Sequence, residues 1–146
     1  LTVRSMIEMA RDFADEQAMP IRILVSCGLG AVPAWKYDAD AWFLQVSYDV
    51  DAMVAWRAGI DFDGAVYAGV MALPSATMAR KVGADVPQLA VPSHILDRLD
   101  ANPNAGIDLA VELVRDVRDS NAFDGTHLIP VNRYRQLAAA LEPELR

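Results

Sequence analysis

Apolar positions follow two alternating rhythms along this chain. Val3, Met6, Ile7, Ala10, Phe13 and Ala14 recur at steps of three and four, one face of an amphipathic helix, with Thr2 placed to cap its first turn and Pro20 to end it. β-Branched residues then crowd into residues 21–28 and stop at a glycine. A second apolar run covers 41–49 and a third 65–73, and a fourth starts after the Asp124-Gly125 turn at Thr126 and ends in the Asn132-Arg133 junction. These runs read as strands. Asp49 can cap a helix that carries Val50, Met53, Val54 and Trp56 and closes at Gly59, and Ser75, after Pro74, opens another through Met78 and Val82. Residues 87–104 hold three prolines and a short helix opening near Ser93, an elaborated connection within one unit. A longer helix follows, with Ile107, Ala110, Val111, Val114 and Val117 as its buried stripe and Asp108, Glu112, Arg115 and Asp119 outward.

Strands that are nearly continuous in apolar residues and alternate with helices predict a parallel sheet, hence an α/β fold. Two architectures meet that description: an open doubly wound sheet and part of a (β/α)8 TIM barrel. Polar or small residues gather where each strand stops, at Ser26 and Gly28, at Gln45 through Asp49, at Ser75, and at Asn132 and Arg133. A barrel collects its binding groups at that rim from several strands. No strand is followed by a glycine-rich dinucleotide or P-loop fingerprint, and the CGLG stretch from Cys27 to Gly30 is too short to serve as one.

Composition narrows the partners. The 146 residues are 53% apolar and 23% charged, the range of one globular unit, with no apolar run long enough to span a membrane. A formal charge of -7 disfavours nucleic acid and anionic lipid surfaces. Cys27, the single cysteine, forms no internal disulfide, and the cytoplasm is the simplest setting. The N-terminus lacks both a starting methionine and the pattern of a secretory signal, which points to Leu1 as an interior point of a longer product.

Four stretches in order carry a family resemblance: Gln45-Val-Ser-Tyr48-Asp49, Gly69-Val-Met-Ala-Leu-Pro74-Ser75, Ala105-Gly106-Ile-Asp-Leu-Ala110, and His127 through Asn132-Arg133. Together they resemble the C-terminal half of methylenetetrahydrofolate reductase, over about residues 40–141. The resemblance implies that residues 1–146 form a single α/β segment, the fifth to eighth strands of a TIM barrel whose N-terminal half is absent. It also implies reduction of 5,10-methylenetetrahydrofolate to 5-methyltetrahydrofolate with NADH or NADPH as hydride source. Gln45 would meet the pterin and Arg133 would lie near the aminobenzoyl-glutamate end of the folate.

The chemistry suits those roles. A primary amide can match the adjacent donors and acceptors of a pterin edge, and a guanidinium fork remains charged against the folate carboxylates. Tyr48 is able to stack on the ring or wall it. The family's proton-handling acid and pterin-anchoring aspartate would precede Leu1, so no catalytic residue is named on this chain. Residues 28–40, with Pro33, leave little room for a full crossover helix. In flavin-containing members that part of the rim holds cofactor, so the short connection argues against FAD and for direct hydride transfer from the nicotinamide.

Plainer readings stand beside these. Gln45 can be a satisfied polar residue facing a helix, and Arg133 a surface cation paired with a carboxylate such as Asp124. His127 reads as a hydrogen-bonded core histidine, His94 as a solvent-facing one, Cys27 as a small buried thiol, and Trp35, Trp42 and Trp56 as packing. A half-barrel also exposes its edge strands, which calls for the missing half or a homo-oligomer. The competing function is a non-catalytic half-barrel module that binds a small anionic ligand or a partner chain.

Overall fold

The computed structural model describes residues 2–102 and 104–145, so Leu1 and Pro103, the third proline of the 87–104 connection, lie outside the described residues, as does Arg146. The elements are α1 (Val3–Glu16), β1 (Leu24–Cys27), β2 (Ala41–Leu44), α2 (Val50–Ala58), β3 (Ala65–Met71), α3 (Ala76–Asp85), α4 (Ser93–Ala101), α5 (Ala105–Ser120), β4 (Gly125–Ile129) and α6 (Tyr134–Leu141). The fold is α/β, with one four-stranded sheet in the order β1-β2-β3-β4 and every neighbouring pair parallel. All four C-terminal strand ends therefore share one edge.

Local chemistry accounts for the element ends. Thr2 and Ser5 form a reciprocal capping box at the start of α1. Asp49 Oδ1 accepts the Ala52 N–H at 2.8 Å to cap α2, and Ser75 Oγ accepts the Met78 N–H at 3.2 Å to cap α3. Asn121, at φ 53°, closes α5 in the left-handed region that asparagine tolerates.

The strands are shorter than the apolar runs. After the Gln45 N–H donates to Cys27 O at 2.7 Å, the chain turns away from β2 toward the Asp49 cap. Pro130, which has no N–H to give, ends β4. Between β1 and β2 lies only a five-residue 3-10 helix, Ala34–Asp38. Two indoles pin this connection: Trp42 Nε1 donates to Lys36 O at 2.8 Å and Trp56 Nε1 to Gly30 O at 3.1 Å.

Burial alternates across the sheet. Val25, Cys27, Trp42, Leu44, Val66, Ala68 and Val70 point to the helix-covered face and are buried. Trp42 is fully enclosed and stacks on Phe62 with ring centres 3.9 Å apart. The predicted stripe of α5 is buried throughout: Ile107, Ala110, Val111 and Val114 pack with Val70, Leu137 and Leu141, and Val117 with the cluster around Trp42. On α1 the predicted stripe is only partly covered: Ile7 and Ala14 are buried, whereas Val3, Met6 and Phe13 are exposed. Among the described residues no helix is long and apolar enough to cross a membrane.

Candidate functional site

The opposite face of the sheet carries the other half of the alternation, Leu24 and Ser26 on β1, Phe43 on β2, Tyr67, Gly69 and Met71 on β3, and His127 and Ile129 on β4. Leu24 and Ser26 are exposed, and the larger side chains on the other three strands are half-buried. Strand pairing sets these into rows. Ser26 is level with Phe43, Phe43 with Tyr67 and Tyr67 with Gly125. One step toward the C-terminal edge, Gly69 is level with His127, and continuing the register brings Gly28 beside Gln45 and Gln45 beside Gly69. The row thus runs Gly28, Gln45, Gly69, His127, with two side chains separated by positions that have none.

Gly69 is required for this arrangement, and Gly28 leaves room for it. A Cβ on Gly69 would come within 2.4 Å of Leu44 O and 2.9 Å of Val46 N, so the backbones of β2 and β3 approach too closely for any other residue. A Cβ on Gly28 would lie 3.1 Å from Gln45 Oε1, so the amide leans over β1 in the space that Gly28 leaves. The imidazole of His127, two strands away, reaches across Gly69 to the Phe43 ring, with centres 4.5 Å apart and planes tilted by 31°. Phe43 in turn meets Tyr67 at 5.7 Å. The result is an aromatic floor beside one exposed amide. Above it opens an apolar cleft of about 220 Å³ lined by Phe43, Gln45, Met71, Leu89, His127 and Ile129 among others. Among the described residues no hydrogen bond engages the Gln45 amide or the His127 imidazole.

Arg133 sits at the same edge, at the N-cap position of α6. Its Nε donates to Gln136 Oε1 at 2.7 Å and one Nη to Asn104 Oδ1 at 3.0 Å. Asp124 stands at the other end of β4, where its Oδ2 accepts the Val66 N–H at 2.8 Å. Arg133 follows a tight turn in which its N–H donates to Pro130 O at 2.8 Å while Val131 and Asn132 both have positive φ, 40° and 64°. A β-branched residue in that region is strained.

Tyr48 lies elsewhere. It packs on the helix-covered side against the clusters around Val70 and Leu73, and its burial pushes the phenol far above its ordinary range. It lines a cavity of about 700 Å³, together with Asp49, Asp51, Asp116, Asp119 and His94. Four carboxylates there oppose any anionic ligand. The structure therefore brings Gln45 and Arg133 to one edge of the sheet and sets Tyr48 on the opposite face from Gln45. Tyr48 comes three positions after Gln45, beyond the point where the chain has left β2 for the Asp49 cap.

Cys27 is buried and free, and desolvation raises its thiol pKa against a smaller opposing pull from Lys36. It is no activated nucleophile. Among the described residues no group of three or more His, Cys, Asp or Glu could hold a metal ion. That His127 stands in the same row as Gln45 is not legible in the sequence, because it depends on the pairing of strands distant along the chain. The signal lies in the register, through its pairing with Gly69.

No protein-family model matches the chain, and a search of the curated proteins gives no significant match.

Proposed function

We propose that this chain supplies the folate-binding half of a methylenetetrahydrofolate reductase-type site, in which a hydride from NADH or NADPH reduces 5,10-methylenetetrahydrofolate to 5-methyltetrahydrofolate in the cytoplasm. The observation that carries this reading is the face of the sheet opposite the α-helices, where the Gln45 amide stands beside an aromatic cluster at the C-terminal edge of parallel strands. An apolar cleft with a few convergent polar groups is the form of a small-molecule site. The order of the four stretches that resemble the family supports it from the sequence side.

The architecture that fits is the C-terminal half of a (β/α)8 barrel. Strands in sequential order with helices on one face match half of such a barrel, and on this reading the other face is the inner one. The exposed Val3, Met6 and Phe13 on α1 would then pack against a preceding helix. On this reading the proton donor and the ring-anchoring aspartate belong to the other half, and the chain alone binds without turnover. Gln45 holds the pterin edge and Arg133 the folate carboxylates, while Tyr48 supports the rim from the helix side. The short 3-10 connection between β1 and β2 offers no α-helix N-terminus for cofactor phosphates, which favours hydride transfer without FAD.

The exposed apolar face also favours a second reading, a non-catalytic half-barrel module that binds a small anionic ligand or docks a partner chain. Two measurements separate them: equilibrium binding of tetrahydrofolate to this chain, and oxidation of reduced nicotinamide on adding methylenetetrahydrofolate to the completed barrel, with and without added FAD. Saturable binding together with FAD-independent oxidation supports the reductase. Binding without oxidation supports the module, and no folate binding overturns the folate reading.

A further inference from the structure

We propose that Lys36 is a lock on the free edge of β1: its ammonium occupies the carbonyl that an added strand would need, so that neither a second copy of this chain nor any other strand pairs there until the lysine is displaced. The inference concerns the edge of the sheet and stands apart from the folate reading. If β1 is the seam of a completed barrel, the same lysine gates its closure.

β1 stands first in the sheet order, so one of its sides has no neighbouring strand. The other side is engaged by β2: Ile23 O accepts the Asp40 N–H at 2.8 Å and Cys27 O accepts the Gln45 N–H at 2.7 Å. Peptide groups alternate between the two sides of an extended strand, so those of Leu24 and Ser26 point away from the sheet. Such a row is a template for strand addition, and residues 21–27, rich in isoleucine, leucine and valine, have the composition that pairs readily. Lys36 meets this hazard. Its Nζ donates to Ser26 O at 2.6 Å, which takes up the outward carbonyl and sets a positive charge in the path of an incoming strand.

The lysine is held ready for this role. Its N–H donates to Pro33 O at 2.9 Å, and its carbonyl accepts the indole N–H of the fully enclosed Trp42 at 2.8 Å, so the backbone is fixed on both sides. The ammonium also lies over the Trp35 ring, 5.5 Å from its centre. The short 3-10 segment that replaces a crossover helix thereby returns Lys36 to the edge of the strand it has just left.

The test is sedimentation velocity over a concentration series for the wild type, Lys36→Met and Lys36→Arg, with amide hydrogen exchange at Leu24 and Ser26 read at the highest concentration. Methionine keeps an apolar stem over Trp35 and removes the charge and the donor, whereas arginine keeps both. Lys36→Met is expected to self-associate at least about tenfold more tightly than the wild type, with slower exchange at Leu24 and Ser26, and Lys36→Arg to stay within about threefold of it. Far-UV circular dichroism shows whether each variant is folded. Should Lys36→Met unfold, Lys36→Gln, which also removes the charge, takes its place with the same expected direction. Association no tighter in the folded uncharged variant, or tighter with exchange at Leu24 and Ser26 unchanged, overturns the lock, because the edge is then either not held shut by Lys36 or not the surface that pairs. Exchange at Leu24 and Ser26 as slow in the wild type as at the β2-bonded Val25 and Cys27 overturns it as well, since the edge would already be paired.

Discussion

A primary amide on an apolar floor keeps its hydrogen-bonding capacity for whatever covers it, and Gln45 is in that position, exposed beside Phe43 and Gly69. Gln45→Ala should weaken folate binding by about 1 to 3 kcal/mol, because a pterin polar group covered by the site then has no partner. An unchanged dissociation constant in a folded variant removes Gln45 from the site. Arg133 is held by the amide oxygens of Gln136 and Asn104, so its guanidinium is oriented before any ligand arrives. Arg133→Ala should raise KM in the completed enzyme and change kcat less, since contact with the folate tail is similar in ground and transition states. A fall in kcat at unchanged KM contradicts that role. The strain just before it, at Val131, is a separate matter. Asparagine accepts the left-handed conformation far better than a β-branched residue, so Val131→Asn should raise stability by about 1 kcal/mol, read as a higher denaturant midpoint. A lower midpoint would show that the valine side chain contributes more by packing than its backbone costs. The sequence identifies Gln45 and Arg133 as residues at strand ends. It does not show that Val131 is strained or that His127 stands beside Gln45, because both depend on backbone geometry and register.

At the scale of elements, two aspartates extend the ladder at the N-terminal ends of the strands. Asp40, just before β2, accepts the Ile23 N–H at 2.6 Å and returns its own N–H to Ile23 O at 2.8 Å. Asp124, just before β4, does the same with Val66, at 2.8 and 3.0 Å. Each fixes a strand's start against its neighbour and so helps set the register on which the rows of the open face depend. The Ile23 N–H, followed by nearby Arg11, holds the Asp40 carboxyl below its ordinary value of 3.8. A depressed native pKa means that the unfolded chain binds more protons as the medium is acidified. The contribution of Asp40 is therefore complete above 3.8 and is lost as pH falls through the lower native value. Asp40→Asn keeps an acceptor for Ile23 but cannot titrate, so its unfolding free energy should depend less on pH in that acid window than the wild type's. Equal pH dependence would show that other groups govern acid stability. Periodicity reveals most of these elements, since caps such as Thr2, Asp49 and Ser75 and the stripe of α5 are written in residue type and spacing. Strand ends are less legible: Val46 and Tyr48 continue an apolar alternation past Gln45, yet the chain leaves the sheet to reach the Asp49 cap.

Across the whole molecule, the parallel order β1-β2-β3-β4 with the α-helices on one face leaves the other face of the sheet only partly covered. Alternation of strands and helices foretells the parallel sheet, but no residue pattern reports strand order directly, and the bare Gly69 between Gln45 and His127 emerges only once the strands are paired. Two cavities compete to be the site: the open-face cleft beside Gln45 and the larger acidic one beside Tyr48. Net charge makes the choice sharper, since in a chain of formal charge -7 an anionic ligand such as the proposed folate is repelled less by a cleft without carboxylates than by one with four. Backbone amide shifts followed by NMR during titration with tetrahydrofolate decide between them. Saturable shifts concentrated at Gly28, Gln45, Gly69 and His127, with a smaller set around Arg133, are the predicted result. Shifts confined to Tyr48, Asp116 and Asp119, or no saturable shifts at all, would contradict folate binding on the open face of the sheet.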